Sequence, residues 1–187
     1  LIEDVKILNS EIQNVSHTGI KLTGKATQNI RQVSITGNNL TQTGGPGIQM
    51  SGVKFIHVSD NQVTYSGSTD DSRKWGRGSG LWTWGASNVL IEKNKFMYAN
   101  GPGDSAGAHI DFNCDNIVLQ YNFSAFNAGG FIEVAGQLDA LGGTAERGKR
   151  IAEAAQAFAR IEVQRGAADE RDTAVAGLEQ VRGHRHR

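Results

Sequence analysis

The chain has 187 residues, with 19 basic and 19 acidic side chains and a formal net charge of zero. No global field therefore draws it to nucleic acid or to an acidic membrane. Its length suits one domain with a real core, its single cysteine excludes an internal disulfide framework, and no apolar run reaches membrane-spanning length.

In chain order, a short pattern recurs five times. Val5-Lys6-Ile7 is followed three residues on by Ser10, with Ile12 two further, and then by the run GIKL. Val33-Ser34-Ile35 leads to Asn38, Leu40 and GIQM. Ile56-His57-Val58 leads to Asn61, Val63 and GLWTW, and Val89-Leu90-Ile91 to Asn94, Phe96 and GAHIDF. The last copy, Ile117-Val118-Leu119, reaches Asn122 and GGFIEV without the second apolar residue. The anchors Ser10, Asn38, Asn61, Asn94 and Asn122 lie 28, 23, 33 and 28 residues apart.

Period-two alternation marks each piece as a short half-buried strand. Asparagine suits the corner because its short side chain tolerates a left-handed backbone and bonds locally. One such unit cannot bury its apolar face alone, whereas stacked units share a continuous core. An antiparallel sandwich would need hairpin turns such as Asn-Gly between strands; none occurs there.

The pattern N-φ-x-φ-x-x-N-x-φ followed by G-φ-x-φ resembles the right-handed parallel β-helix repeat family, the pectate-lyase-like superfamily. GSGLWTWGASNVLIEKNKF and HIDFNCDNIVLQYNFSAFNAGGFIEV resemble exported bacterial proteins of polysaccharide-utilising organisms. The resemblance implies an all-β solenoid of about five rungs over residues 1–136, a fragment of a longer coil. It further implies an extracellular, periplasmic or cell-surface location and a polysaccharide partner. Such coils host lyases, hydrolases, epimerases and non-catalytic adhesins.

In a parallel coil, equivalent residues of successive turns stack about 4.8 Å apart. One register of the last three glycine-led strands puts Leu81, Ala108 and Gly130 inside, with Thr83, Ile110 and Ile132. The outward columns are then Trp82–His109–Phe131 and Trp84–Asp111–Glu133. The other register turns Phe131 inward and buries Glu133 without an evident partner, which is unfavourable, so the first is preferred. Asp111 and Glu133 as rung neighbours would serve as acid and base, with His109 beside them, or would hold a hard cation such as Ca²⁺. Trp82 and Trp84 offer flat platforms for sugar rings, unless they pack under the neighbouring loop as a satellite core.

The two longest insertions, 65–79 and 98–107, adjoin this strand, and long loops on a rigid scaffold build binding sites. Arg73, Lys74 and Arg77 in the first are the cations available to neutralise a uronate carboxylate in β-elimination. No spacing assigns a metal-ligand set, and no catalytic motif of the family carries over. An enzyme of the polysaccharide lyase or glycoside hydrolase type is the first expectation, and a non-catalytic glycan-binding or structural coil the second.

Beyond residue 136 asparagine vanishes, while alanine, arginine and glutamate dominate, all strong helix formers. Ile151, Ala155, Phe158 and Ile161 keep helical spacing, as do Val175, Leu178 and Val181 in a second segment. Residues 137–187 read as a helical or disordered extension rather than a helix capping the coil. The terminal GHRHR reads as a solvated basic tail, since two histidines at i,i+2 are a poor metal signature.

Overall fold

Each apolar-x-apolar run has one face to bury and backbone groups to pair on both sides, and stacking satisfies both demands. The computed structural model describes residues 1–67 and 77–135, together with the backbone of Ala159–Val163 and Ala176–Gly177. Among the described residues the coil makes five turns. They comprise β1 (Lys6–Leu8), β2 (Glu11–Val15) and β3 (Ile20–Thr23); β4 (Ile30–Thr36), β5 (Asn39–Thr43) and β6 (Ile48–Ser51); and β7 (Val53–Ser59), β8 (Gln62–Ser66) and β9 (Leu81–Trp84). β10 (Ser87–Glu92), β11 (Lys95–Met97) and β12 (Ala108–Ile110) form the fourth turn, and β13 (Asp115–Ala125) and β14 (Ile132–Val134) the fifth. Among the described residues no helix is long and apolar enough to cross a membrane.

Equivalent strands pair in parallel to give three sheets: β1-β4-β7-β10-β13, β2-β5-β8-β11-β13, and β3-β6-β9-β12-β14. β13 runs unbroken around the corner and serves the first two. The repeat aligns as read: Ile7 pairs with Ile35, Ile35 with Val58, Val58 with Ile91 and Ile91 with Leu119. Ile35, Leu40, Ile48, Met50, Leu81, Ile91 and Ile110 fill the interior and are fully buried.

The anchor asparagines act differently from expectation. The left-handed residue at that corner is the one before each anchor: Asn9, Gly37, Asp60, Lys93 and Tyr121. The asparagines themselves point inward and bond between turns. Asn38 N–H and Nδ2 both donate to Asn61 Oδ1, Asn61 repeats this to Asn94, and Asn94 to Asn122, at 2.9–3.0 Å. Each Nδ2 also donates to a carbonyl of the preceding turn: Ile7, Ile35, Val58 and Ile91. A buried amide ladder results, in which donors and acceptors are matched along the axis.

Four residues after each anchor comes a second left-handed corner: Asn14, Gln42, Tyr65, Tyr98 and Phe126. A bulky residue is strained there by about 1–2 kcal/mol. Tyr65 and Tyr98 stack with centroids 4.9 Å apart, as do Tyr98 and Phe126 at 5.1 Å, and such pairs return about 0.5–1.5 kcal/mol each. The stack is solvent-exposed and marks the corner from which both long loops leave.

The glycine just before each of β3, β6, β9 and β12 reflects close approach. A Cβ on Gly80 would lie 2.6 Å from the Gly107 carbonyl and 2.9 Å from Phe96 Cδ1. Gly80→Ala is expected to lower stability by about 1–3 kcal/mol through overpacking, read as a fall in urea midpoint; an unchanged midpoint would mean that the turns separate without penalty.

The last turn corrects two expectations. Ala159–Val163 form β15, which lies antiparallel along β13, with Ile117 opposite Val163 and Leu119 opposite Ile161; β16 (Ala176–Gly177) pairs beyond it. The helical stripe expected through Ile161 is extended there, because the open edge of β13 presents backbone donors and acceptors that a strand can pair and a helix cannot. The rest of the expected helical tail lies outside the described residues. In addition, β14 is displaced by two residues from the register expected of it. Ala108 faces Ile132, His109 faces Glu133 and Ile110 faces Val134. A two-residue shift keeps the paired side chains of β14 on their faces, so Ile132 stays inside and Glu133 outside. Gly130 instead makes the turn, at φ 92°, and Phe131 packs against the core rather than standing beside His109.

Candidate functional site

The outer face of the third sheet carries the column Gln49–Trp82–His109–Glu133, one residue from each of β6, β9, β12 and β14. Asp111 follows β12, held by its N–H on the Thr83 carbonyl at 2.9 Å. The two loops supply the rim. Ser105 Oγ donates to the Gly101 carbonyl and accepts from Gly101 N–H, and the Asp104 carbonyl accepts from Gly78 N–H. These bonds tie the 98–107 loop to the foot of the 65–79 loop and bring Asp104 and Arg77 over the column.

His109 is the centre. Its Nδ1 lies 3.6 Å from Asp104 Oδ2 and 4.0 Å from Glu133 Oε2, and its Nε2 lies 4.0 Å from Asp111 Oδ1. None of these is a hydrogen bond by distance. The imidazole is 4% exposed, and Nδ1 has no hydrogen-bond partner among the described residues. Leaving such an atom unmatched costs about 1–3 kcal/mol. Arg77 reaches Asp104 Oδ2 with Nε at 3.5 Å and Asp111 Oδ2 with an Nη at 3.6 Å, and its guanidinium lies 5.4 Å above the Trp82 ring.

The residues expected from sequence thus separate into three groups. His109, Asp111, Glu133, Trp82 and Arg77 do converge, but Asp111 and Glu133 are not rung neighbours; the two-residue register difference puts His109 opposite Glu133. With that pairing gone, the Ca²⁺ expectation for an Asp111–Glu133 pair loses its geometry. Asp111 is buried, with Oδ2 accepting from Trp82 Nε1 at 3.0 Å and Oδ1 from Phe112 N–H at 2.8 Å. Trp82 faces outward but is covered, so it supports the site rather than offering a free platform. Trp84 is half-buried, 6.2 Å from Trp82 and edge-on to Phe112 at 5.6 Å. Arg73 and Lys74 lie outside the described residues.

Asp104 and the Tyr65–Tyr98–Phe126 stack were not singled out from sequence. Asp104 is the lone charged residue of the 98–107 insertion, and the aromatics hold a constant offset from the anchors; both signals were present in the letters. Cys114 is not a reactive nucleophile here. Burial pushes its thiol up, against the contact to Thr83 Oγ1 at 3.4 Å.

A family model described as "right handed beta helix region" matches residues 3–140. No curated protein matches the chain.

Proposed function

The chain belongs to the right-handed β-helix family, and from that premise we propose that it is a carbohydrate-active protein, with a polysaccharide lying along the outer face of the third sheet. One observation carries this reading: two carboxylates and a guanidinium, Asp104, Glu133 and Arg77, form a partly exposed rim above a buried His109–Asp111–Trp82 floor. The rim groups are those a sugar reaches. Glu133 is the acid or base, with His109 packed behind it, and Arg77 the cation facing a uronate carboxylate. Trp84 and the exposed stack of Tyr65, Tyr98 and Phe126 are the surfaces for sugar rings. The reaction class is polysaccharide lyase or glycoside hydrolase, in a protein of the pectate-lyase-like superfamily placed outside the cytoplasm.

A second reading, a non-catalytic glycan-binding coil, is favoured by one feature: the titratable histidine is buried beneath the rim. Incubation with acidic and neutral polysaccharides, followed for new reducing ends and unsaturated product ends, distinguishes them. Product release with at least one glycan is expected, and retarded migration in a glycan-loaded gel without product would support the binder. Neither product nor retardation on any polysaccharide would sink both.

A further inference from the structure

We propose that Asp104, His109 and Glu133 form a site for a divalent cation of the borderline class, Zn²⁺ foremost, with His109 Nδ1 and one oxygen of each carboxylate as ligands. The three ligand atoms lie within 4.8 Å of one another. Hydrogen-bonded partners would sit at about 2.7–3.2 Å, so the observed 3.6 and 4.0 Å are too long for direct bonding. They are close to the spacing of groups sharing an ion. Two ligands each about 2.1 Å from a tetrahedral Zn²⁺ lie about 3.4 Å apart, within reach of small side-chain rotations.

The unmatched Nδ1 is the independent observation. It belongs to a side chain sealed from water, and it is the atom that faces both carboxylates. Charge agrees. Among the described residues, Asp104, Asp111 and Glu133 set against Arg77 leave two formal negative charges around the imidazole, which a divalent cation cancels. The donor set selects the ion, because Ca²⁺ and Mg²⁺ take oxygen ligands, whereas imidazole with carboxylate suits Zn²⁺ and its first-row neighbours. Nε2 faces the buried Asp111 Oδ1 at 4.0 Å, beyond hydrogen-bond range; a small ring movement on binding would bring it to a carboxylate of the kind that orients a metal-bound imidazole through its other nitrogen. Arg77 approaches the same Asp104 oxygen; on binding it shifts toward Asp111, its second carboxylate partner.

The site does not depend on the polysaccharide reading and is tested with metal alone. The full chain, stripped with a chelator, is titrated calorimetrically with Zn²⁺, Mn²⁺ and Ca²⁺ in separate runs. To exclude Zn²⁺ taken up by His184 and His186, the reference protein carries His184→Gln and His186→Gln. One equivalent of Zn²⁺, bound at least 100-fold more tightly than Ca²⁺, is expected, with a change in Trp82 fluorescence. Glu133→Gln and His109→Gln should each weaken binding by 100-fold or more, and Asp111→Asn by about 10-fold. Glu133 is on the partly exposed rim, so its variant keeps the test open should the buried His109 variant fail to fold. Zn²⁺ binding that disappears with His184 and His186, survives Glu133→Gln unchanged, or is outcompeted by Ca²⁺ would overturn the proposal.

Discussion

Asn61→Ala is expected to lower the stability of the coil by about 3 kcal/mol. Asn61 Oδ1 accepts from Asn38 N–H and Nδ2, while its Nδ2 donates to the Ile35 carbonyl and to Asn94 Oδ1. Asn38 Nδ2 keeps the Ile7 carbonyl and Asn94 Oδ1 keeps Asn61 N–H. The Ile35 carbonyl stays in the β4–β7 ladder, whereas Asn38 N–H keeps nothing, and its residue is almost fully buried. One such orphan at about 1–3 kcal/mol, with about 0.5–1.5 kcal/mol for the hydrogen bonds lost from the removed amide, accounts for the figure. The check is urea denaturation followed by tryptophan fluorescence, with the exposed neighbour Asn39→Ala as control, expected within about 0.5 kcal/mol of the parent. A loss below about 1 kcal/mol at Asn61 would show that the ladder accompanies the stacking without supporting it.

The second large effect concerns chemistry. In the polysaccharide reading, Glu133→Gln keeps the shape of the rim but removes its proton-accepting group, and turnover should fall about 10²–10⁴-fold with little change in KM. Asp111→Asn is expected to act differently. Both Asp111 oxygens are engaged by the Trp82 indole and the Phe112 backbone, so this residue positions the floor. Its loss should spread over KM and kcat and alter Trp82 fluorescence, which a group that only transfers a proton would leave unchanged. Retention of turnover within about threefold in the Glu133 variant would remove Glu133 from the chemistry and leave the glycan-binding reading.

The repeat was legible because stacked strands obey simple local rules. Val33, Ile35, Leu40 and their equivalents announce an inward face by alternation, and the glycines before β6, β9 and β12 mark where backbones approach too closely for a Cβ. The anchors were legible as positions but not as bonds. Asparagine at a corner reads equally as a left-handed residue or as a rung of an amide ladder, and only the axial spacing of the turns decides between them.

Residue order by itself determined that five short units stack in parallel, which residues face the interior, and that Trp82, His109 and Glu133 share the outer face of one sheet. Tertiary structure decided which of them touch. The turn at Gly130 sets how many residues precede β14, and a difference of two there keeps Ile132 inside and Glu133 outside while sending Phe131 to the core and making Glu133 the neighbour of His109. Alternation has period two and cannot register that difference. The loop that delivers Asp104 is likewise placed by backbone bonds to a different loop, a contact between residues far apart in the chain that no local pattern encodes.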